Sequence, residues 1–154
     1  MKTGNVGIGS IPANPGDGAR RAIPMLWHAT VSATGFSSTI GRDDLSSSGK
    51  WLVPIELGDP ETVWGAIGAA VLREEFVAAK HSARHLDAKL GHHLVCVYCA
   101  DSSRETVERA LAGLRSIGIS GPLNYKSDRA TERGRDEHLW SSDDFEPPAL
   151  AASR

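Results

Sequence analysis

The stretch from His93 to Lys126, HLVCVYCADSSRETVERALAGLRSIGISGPLNYK, decides the fold class. Its opening run His93–Cys99 is apolar and rich in β-branched residues, the composition of a buried strand. Ser102-x-x-Glu105 then has the pattern of a capping box, in which a hydroxyl and a carboxylate satisfy orphan N–H groups at a helix start. Val107, Leu111 and Leu114 follow at helical spacing, and Gly118 supplies a left-handed stop. Leu123–Lys126 reads as the next strand. Strand, helix and strand in such close succession predict a layered mixture of helices and strands rather than an all-helical or all-strand domain.

Working outward, Asp59-Pro60-Glu61 places a cap acceptor, a proline at the first helical position and an acid in the first turn. Val63, Ile67 and Val71 continue as one apolar stripe, flanked by Trp64 and Leu72, so a helix starts there and Trp64 reads as core. Further strands are expected at Lys50–Glu56 and Phe76–Ser82, with a pair between Ile23 and Ile40. The layout is α+β. Pro54 cannot donate to a ladder, so it predicts an edge position or a bulge. Trp51 follows Lys50 on a strand and therefore faces away from it, toward packing. Glycines and prolines crowd residues 1–21, which read as a flexible N-terminal tail. The Pro147-Pro148 pair and small residues give 141–154 the same reading, leaving one folded domain at 22–140.

Composition narrows the function classes. The chain has 154 residues with 40% hydrophobic and 23% charged residues, so it carries enough apolar material for a core. Its formal net charge of -2 provides no global positive field for bulk DNA binding by counterion release. The longest apolar run, Leu94–Ala100, is too short to cross a bilayer, so no membrane association is expected. Cys96 and Cys99 are three apart on a strand and point to opposite faces, against a redox or zinc pair. With no disulfide framework, the cytoplasm is the natural compartment. The segment after Arg20-Arg21 contains Pro24 and His28 and is too poorly apolar for an export signal.

Several motifs fall short of chemistry. His28-Ala-Thr30 matches half of the histidine pair of paired-histidine phosphoesterases, and the chain has no second half. His81, His85, His92 and His93 read as a solvated cluster, because His81 sits at a strand end where the spacing to His85 loses its helical meaning. No metal and no cofactor are expected, and no phosphate-binding glycine loop is present. What remains is a set of cations at strand ends: Lys50, Lys80 and Lys126, with Arg129 and Arg133 just beyond. If the ends meet they form an anion pocket suited to phosphate, in which neighbouring cations lower a lysine's pKa toward that of a base. Spacing alone favours solubility and edge protection as the reason for those lysines.

Read together, Ser48-Gly49-Lys50-Trp51-Leu52, Ala79-Lys80-His81-Ser82, His93–Tyr98 and Leu123–Asp128 resemble the basophilic leukaemia-expressed protein family, also grouped with phosphothreonine-lyase-domain proteins. The resemblance spans about residues 49–134, ending with the Tyr125–Thr131 turn. It implies an α+β fold similar to the cap-binding translation initiation factors, a curved antiparallel sheet with helices packed on one face. It also implies a remote similarity to phosphothreonine lyases, which remove phosphate by β-elimination with a lysine base and a histidine acid. In that comparison Lys80 takes the place of the base and Lys50 of a phosphate-holding lysine. Those lyases carry histidine two residues after the second lysine, where this chain has Leu52, so either His81 or another group takes the role of acid, or no elimination occurs.

Three readings stay open on these residues. The first is a phosphorylated-ligand-binding domain with lyase-like chemistry, Lys80 and His81 acting and Lys50, Lys126, Arg129, Tyr125 and Trp27 binding. The second is a nucleotide or RNA-end binding module that stacks a base on Trp27 or Trp140. The third is a structural or partner-binding domain. The sequence does not fix the oligomeric state.

Overall fold

In the computed structural model, the residues described are 2–4, 27–55 and 60–146. In chain order the elements are β1 (Lys2–Gly4), β2 (Trp27–Val31), β3 (Gly49–Ile55), α1 (Pro60–Leu72), β4 (Ala78–Ser82), α2 (Arg84–Leu90), β5 (His93–Cys99), α3 (Arg104–Ser116), β6 (Asn124–Ser127), α4 (Asp128–Glu132) and β7 (Trp140–Ser141), followed by a 3-10 turn at Ser142–Asp144. The fold is α+β with antiparallel strand pairs, as expected. The chain divides into two compact units, Met1–Ser37 with Pro54–Val97, and Ser38–Val53 with Tyr98–Arg154.

In the first unit the strand order is β1-β2-β4-β5. The β2–β4 register pairs Trp27 with Ser82, His28 with His81 and Ala29 with Lys80. Helix α1 packs on β2 and β4, burying Ile67, Ala70 and Val71. Trp64 is half-buried, whereas Leu72, expected to flank the stripe, is exposed. Its expected cap, Asp59, lies outside the described residues. The turn after α1 uses Glu74, in the left-handed region at φ 65°, whose carboxylate accepts from Ala33 N–H and Thr34 Oγ1. Three expectations change here. Of the pair of strands sought between Ile23 and Ile40, the described residues 27–40 hold one, β2, with turn and irregular structure over 32–40. Part of the expected N-terminal tail, Lys2–Gly4, is strand β1, paired with β2. The segment after His81 forms a short helix, α2, stopped by Gly91 in the left-handed conformation.

In the second unit the order is β3-β6-β7. The β3–β6 register pairs Gly49 with Ser127, Lys50 with Lys126, Trp51 with Tyr125 and Leu52 with Asn124. That ladder stops short of Pro54, so the missing N–H costs it no hydrogen bond to β6. Trp51 is fully buried, its indole N–H donating to the Val107 carbonyl at 3.0 Å and its ring edge-on to Tyr125. Helix α3 buries Val107, Ala110, Leu111 and Leu114, the spacing read from the sequence. Its cap is Ser103 rather than Ser102: Ser103 Oγ accepts from Thr106 N–H, and Ser102 is instead buried, donating to the Ser47 carbonyl. Gly118 takes the left-handed conformation expected at the helix end. The expected tail from Ser141 instead opens with the second residue of β7 and a 3-10 turn whose Ser142 is buried.

Gly49 is required by close packing. A Cβ there would lie 2.5 Å from the Tyr125 hydroxyl oxygen. Gly49→Ala should therefore destabilise by about 1–3 kcal/mol, the usual cost of overpacking. Gly65→Ala, at an exposed helical position with open space around it, should stabilise by roughly 0.5–1 kcal/mol. Urea midpoints of the two variants test both signs, and an unshifted midpoint for Gly49→Ala would disprove the packing argument.

Candidate functional site

The expected site residues fall into two groups, one in each unit. In the second unit the β3–β6 register sets Lys50 directly opposite Lys126, so their side chains share a face. The two like charges would repel there, and Asp128, the first residue of α4, relieves Lys50. Lys50 Nζ donates to Asp128 Oδ1 at 2.7 Å and to Thr131 Oγ1 at 2.7 Å, with both charged side chains buried. The other carboxylate oxygen, Oδ2, accepts from Ser48 Oγ and Ser38 Oγ, each at 2.6 Å. Ser48 Oγ also accepts from Thr39 N–H at 2.8 Å, and the Asp128 N–H returns to the Ser48 carbonyl. Burial alone would raise the Asp128 pKa, but the Lys50 charge and the three donors hold it below its ordinary value.

Arg129, expected to bind ligand, lies 3.9 Å from the Asp44 carboxylate, which Arg135 also engages at 2.8 Å. Tyr125 is buried, its hydroxyl 2.9 Å from Ser102 Oγ, and burial holds its pKa above the ordinary phenol value. Its neighbour Cys99 is pushed up to about 12 by burial, so it stays a thiol and an inert packing group. Trp140 donates its indole N–H to the Ser102 carbonyl and packs against Phe145. A cavity of about 330 Å³ opens beside Arg115, Pro122, Ser142 and Glu146, where Arg115 and Glu146 hold each other in a two-bond pair.

In the first unit, β2 and β4 bring Trp27 and Lys80 together. Lys80 is buried, and its Nζ lies 4.1 Å from the centroid of the Trp27 ring, within the range of a cation–π contact. His81 follows Lys80 on the strand and faces the other way, as strand alternation requires. On that face its ring stands 5.0 Å from His28, 5.0 Å from His93 and 4.4 Å from Trp64 on α1. Its Nδ1 meets the Ser82 carbonyl at 3.0 Å, which requires a proton on Nδ1 and leaves the lone pair of the neutral ring on Nε2. Burial first, then the two neighbouring histidines, lower its pKa. Lys80 and His81 therefore do not form a base and acid acting on one bound group.

Sequence reasoning missed the partners of these residues. Asp128 and Thr131 stood inside the motif that pointed to Lys126, but Ser38 binds Asp128 from a distant loop with no local signal. Among the described residues no group of three His, Cys, Asp or Glu side chains is arranged to hold a metal ion, and no helix is long and apolar enough to cross a membrane.

The geometry defines an α+β antiparallel-sheet fold in which two of the segments carrying the resemblance, Ser48–Leu52 and Leu123–Asp128, meet at the β3–β6 ladder and its buried ion pair. The chain belongs to the basophilic leukemia-expressed protein Bles03 family, whose model matches residues 40–132, more than half of its length. Comparison with curated proteins gives no match.

Removing one partner of a buried pair leaves an uncompensated charge, so Lys50→Met should cost about 3–5 kcal/mol, and adding Asp128→Leu to it should recover much of the loss. A carboxylate whose folded pKa is depressed stabilises above its unfolded pKa and loses that contribution as pH falls through the folded value. The wild type should thus lose stability below the ordinary aspartate value of 3.8, and Asp128→Asn should flatten that acid limb. Urea titrations between pH 7 and pH 2 would show it, and parallel acid limbs would refute the assignment.

Proposed function

We propose that this domain binds a phosphorylated ligand at Lys80, with the Trp27 ring as the adjoining wall. The observation that supports this is the ammonium of Lys80 set over the indole on neighbouring strands. A lysine held largely out of water forms stronger charge-assisted bonds to a phosphate than a solvated one does, and a rigid ring beside it reduces the ordering cost of binding. Lys50, by contrast, is held by Asp128 and Thr131, with which a phosphate would have to compete. The reading is one of binding. Lyase-like elimination with Lys80 as base would need an acid on its own face, and His81 points to the other.

The test is thermal shift and tryptophan fluorescence with a phosphothreonine peptide, its unphosphorylated form and a cap analogue, on wild type and Lys80→Met. Methionine keeps the length of the side chain and removes the charge. The phosphopeptide should stabilise the wild type, and Lys80→Met should weaken its binding by about tenfold or more, the worth of one charge-assisted bond. Equal affinity for both proteins would remove Lys80 from the site. A response to the cap analogue alone would move the domain to the nucleotide-end class, and silence from every ligand would favour a partner-binding domain.

A further inference from the structure

We propose that the row His28–His81–His93, roofed by Trp64 and tied to α2 through Asp87, is a proton-operated latch that holds α2 and the end of β4 in place at neutral pH and releases them on acidification. The inference is independent of whether Lys80 binds phosphate.

The row is built by the topology. β2, β4 and β5 are successive neighbours in their unit, and each contributes one imidazole at the same level. The ring centroids are spaced at 5.0 Å on both sides of His81, which leaves no room for water between neighbours that would separate their charges. Among the described residues, four elements face His81. β2 brings His28, β5 brings His93, α2 brings the Asp87 carboxylate and α1 brings the uncharged Trp64 ring. Asp87 is the only one of these that attracts a proton to the row, and it is already engaged. Its Oδ2 takes the Nδ1–H of His93 at 3.0 Å and its Oδ1 takes the Ser82 hydroxyl. Ser82 Oγ in turn accepts the Leu94 N–H at 2.9 Å. A single cluster of side chains thus fastens β4, β5 and the first turn of α2.

The protonation sequence follows from Coulomb's law. His28 is exposed to solvent, and His93 has the Asp87 carboxylate beside it. A proton on His81 would stand between two further imidazoles, with only the Ser82 carbonyl as its own partner. The lowered pKa of His81 agrees with that refusal. A group whose folded pKa lies below its unfolded value gives up stability as pH falls below the unfolded value, here 6.5. The strain is relieved by parting the rings, which releases the Ser82–Asp87–His93 cluster and with it α2.

The test uses the whole chain. Side-chain nitrogen NMR follows each histidine, and amide exchange follows α2 and β4, between pH 7.5 and pH 5. His81 should protonate last of the row, and amides of α2 should lose up to about tenfold in protection for each pH unit between 6.5 and the His81 transition, levelling off below it, after correction for intrinsic exchange. His81→Phe keeps a ring under Trp64 and should abolish the loss. If that variant fails to fold, His28→Gln at an exposed position removes one neighbouring charge and should shrink it. Protonation of His81 together with His28, or α2 protection that falls equally in His81→Phe, would overturn the latch. So would a zinc titration that shifts all three imidazoles together at neutral pH, which would assign the row to a metal instead.

Discussion

The buried ion pair between Lys50 and Asp128 is the constraint around which the second unit is arranged. It is worth little as net stability, because taking both charges out of water costs much of what their attraction returns. Its effect is on register. Side chains alternate along β3, so a slip by one residue against β6 would turn Lys50 toward the apolar side and Trp51 away from it. With Lys50 held by Asp128 and Thr131, and Trp51 held by the Val107 carbonyl, only the observed pairing satisfies both residues. The same pairing sets Gly49 against Tyr125, where nothing larger than hydrogen fits. Two of the four segments that carry the family resemblance, Ser48–Leu52 and Leu123–Asp128, are thus two halves of one ladder.

A comparable use of alternation organises the first unit. Lys80 and His81 are adjacent in sequence and serve opposite faces of β4, one against Trp27 and the other under α1. Adjacency in a motif suggests cooperation only in a loop or across a helix turn. On a strand it guarantees separation, so a base and an acid for one substrate would have to come from positions two apart or from neighbouring strands. In the sequence, Lys80-His81 resembled such a couple because identity and spacing carry no direction until the secondary structure is fixed.

Much of the fold was legible for this reason, and the site much less so. The strand at His93–Cys99 matches residue for residue, and α3 shows its Val107, Leu111 and Leu114 spacing because periodicity records burial directly. The cap was misread by one residue, since Ser102 and Ser103 are chemically alike and only the tertiary partner, Ser47, takes Ser102 out of the helix. Helix α2 was missed because its few residues carry no repeating stripe. Among the site residues, the pairing of Lys50 with Lys126 could be anticipated from two strands ending in lysine. The capture of Lys50 by Asp128 could not, because charge balance in a buried place depends on which distant carboxylate arrives.

That capture changes the meaning of the lysines as a group. From sequence, Lys50 and Lys80 are equivalent: each is a cation near a strand end. Burial then imposes the same demand on both, since an ammonium out of water must be compensated. Lys50 meets the demand with a carboxylate and two serine hydroxyls behind it, an arrangement that is electrically complete and needs no ligand. Lys80 sets its ammonium over the face of an indole, a contact of a different kind. A phosphate brought to the first would compete with Asp128, whereas at the second it would meet a cation beside a rigid aromatic wall, a difference that number and position in the sequence do not reveal.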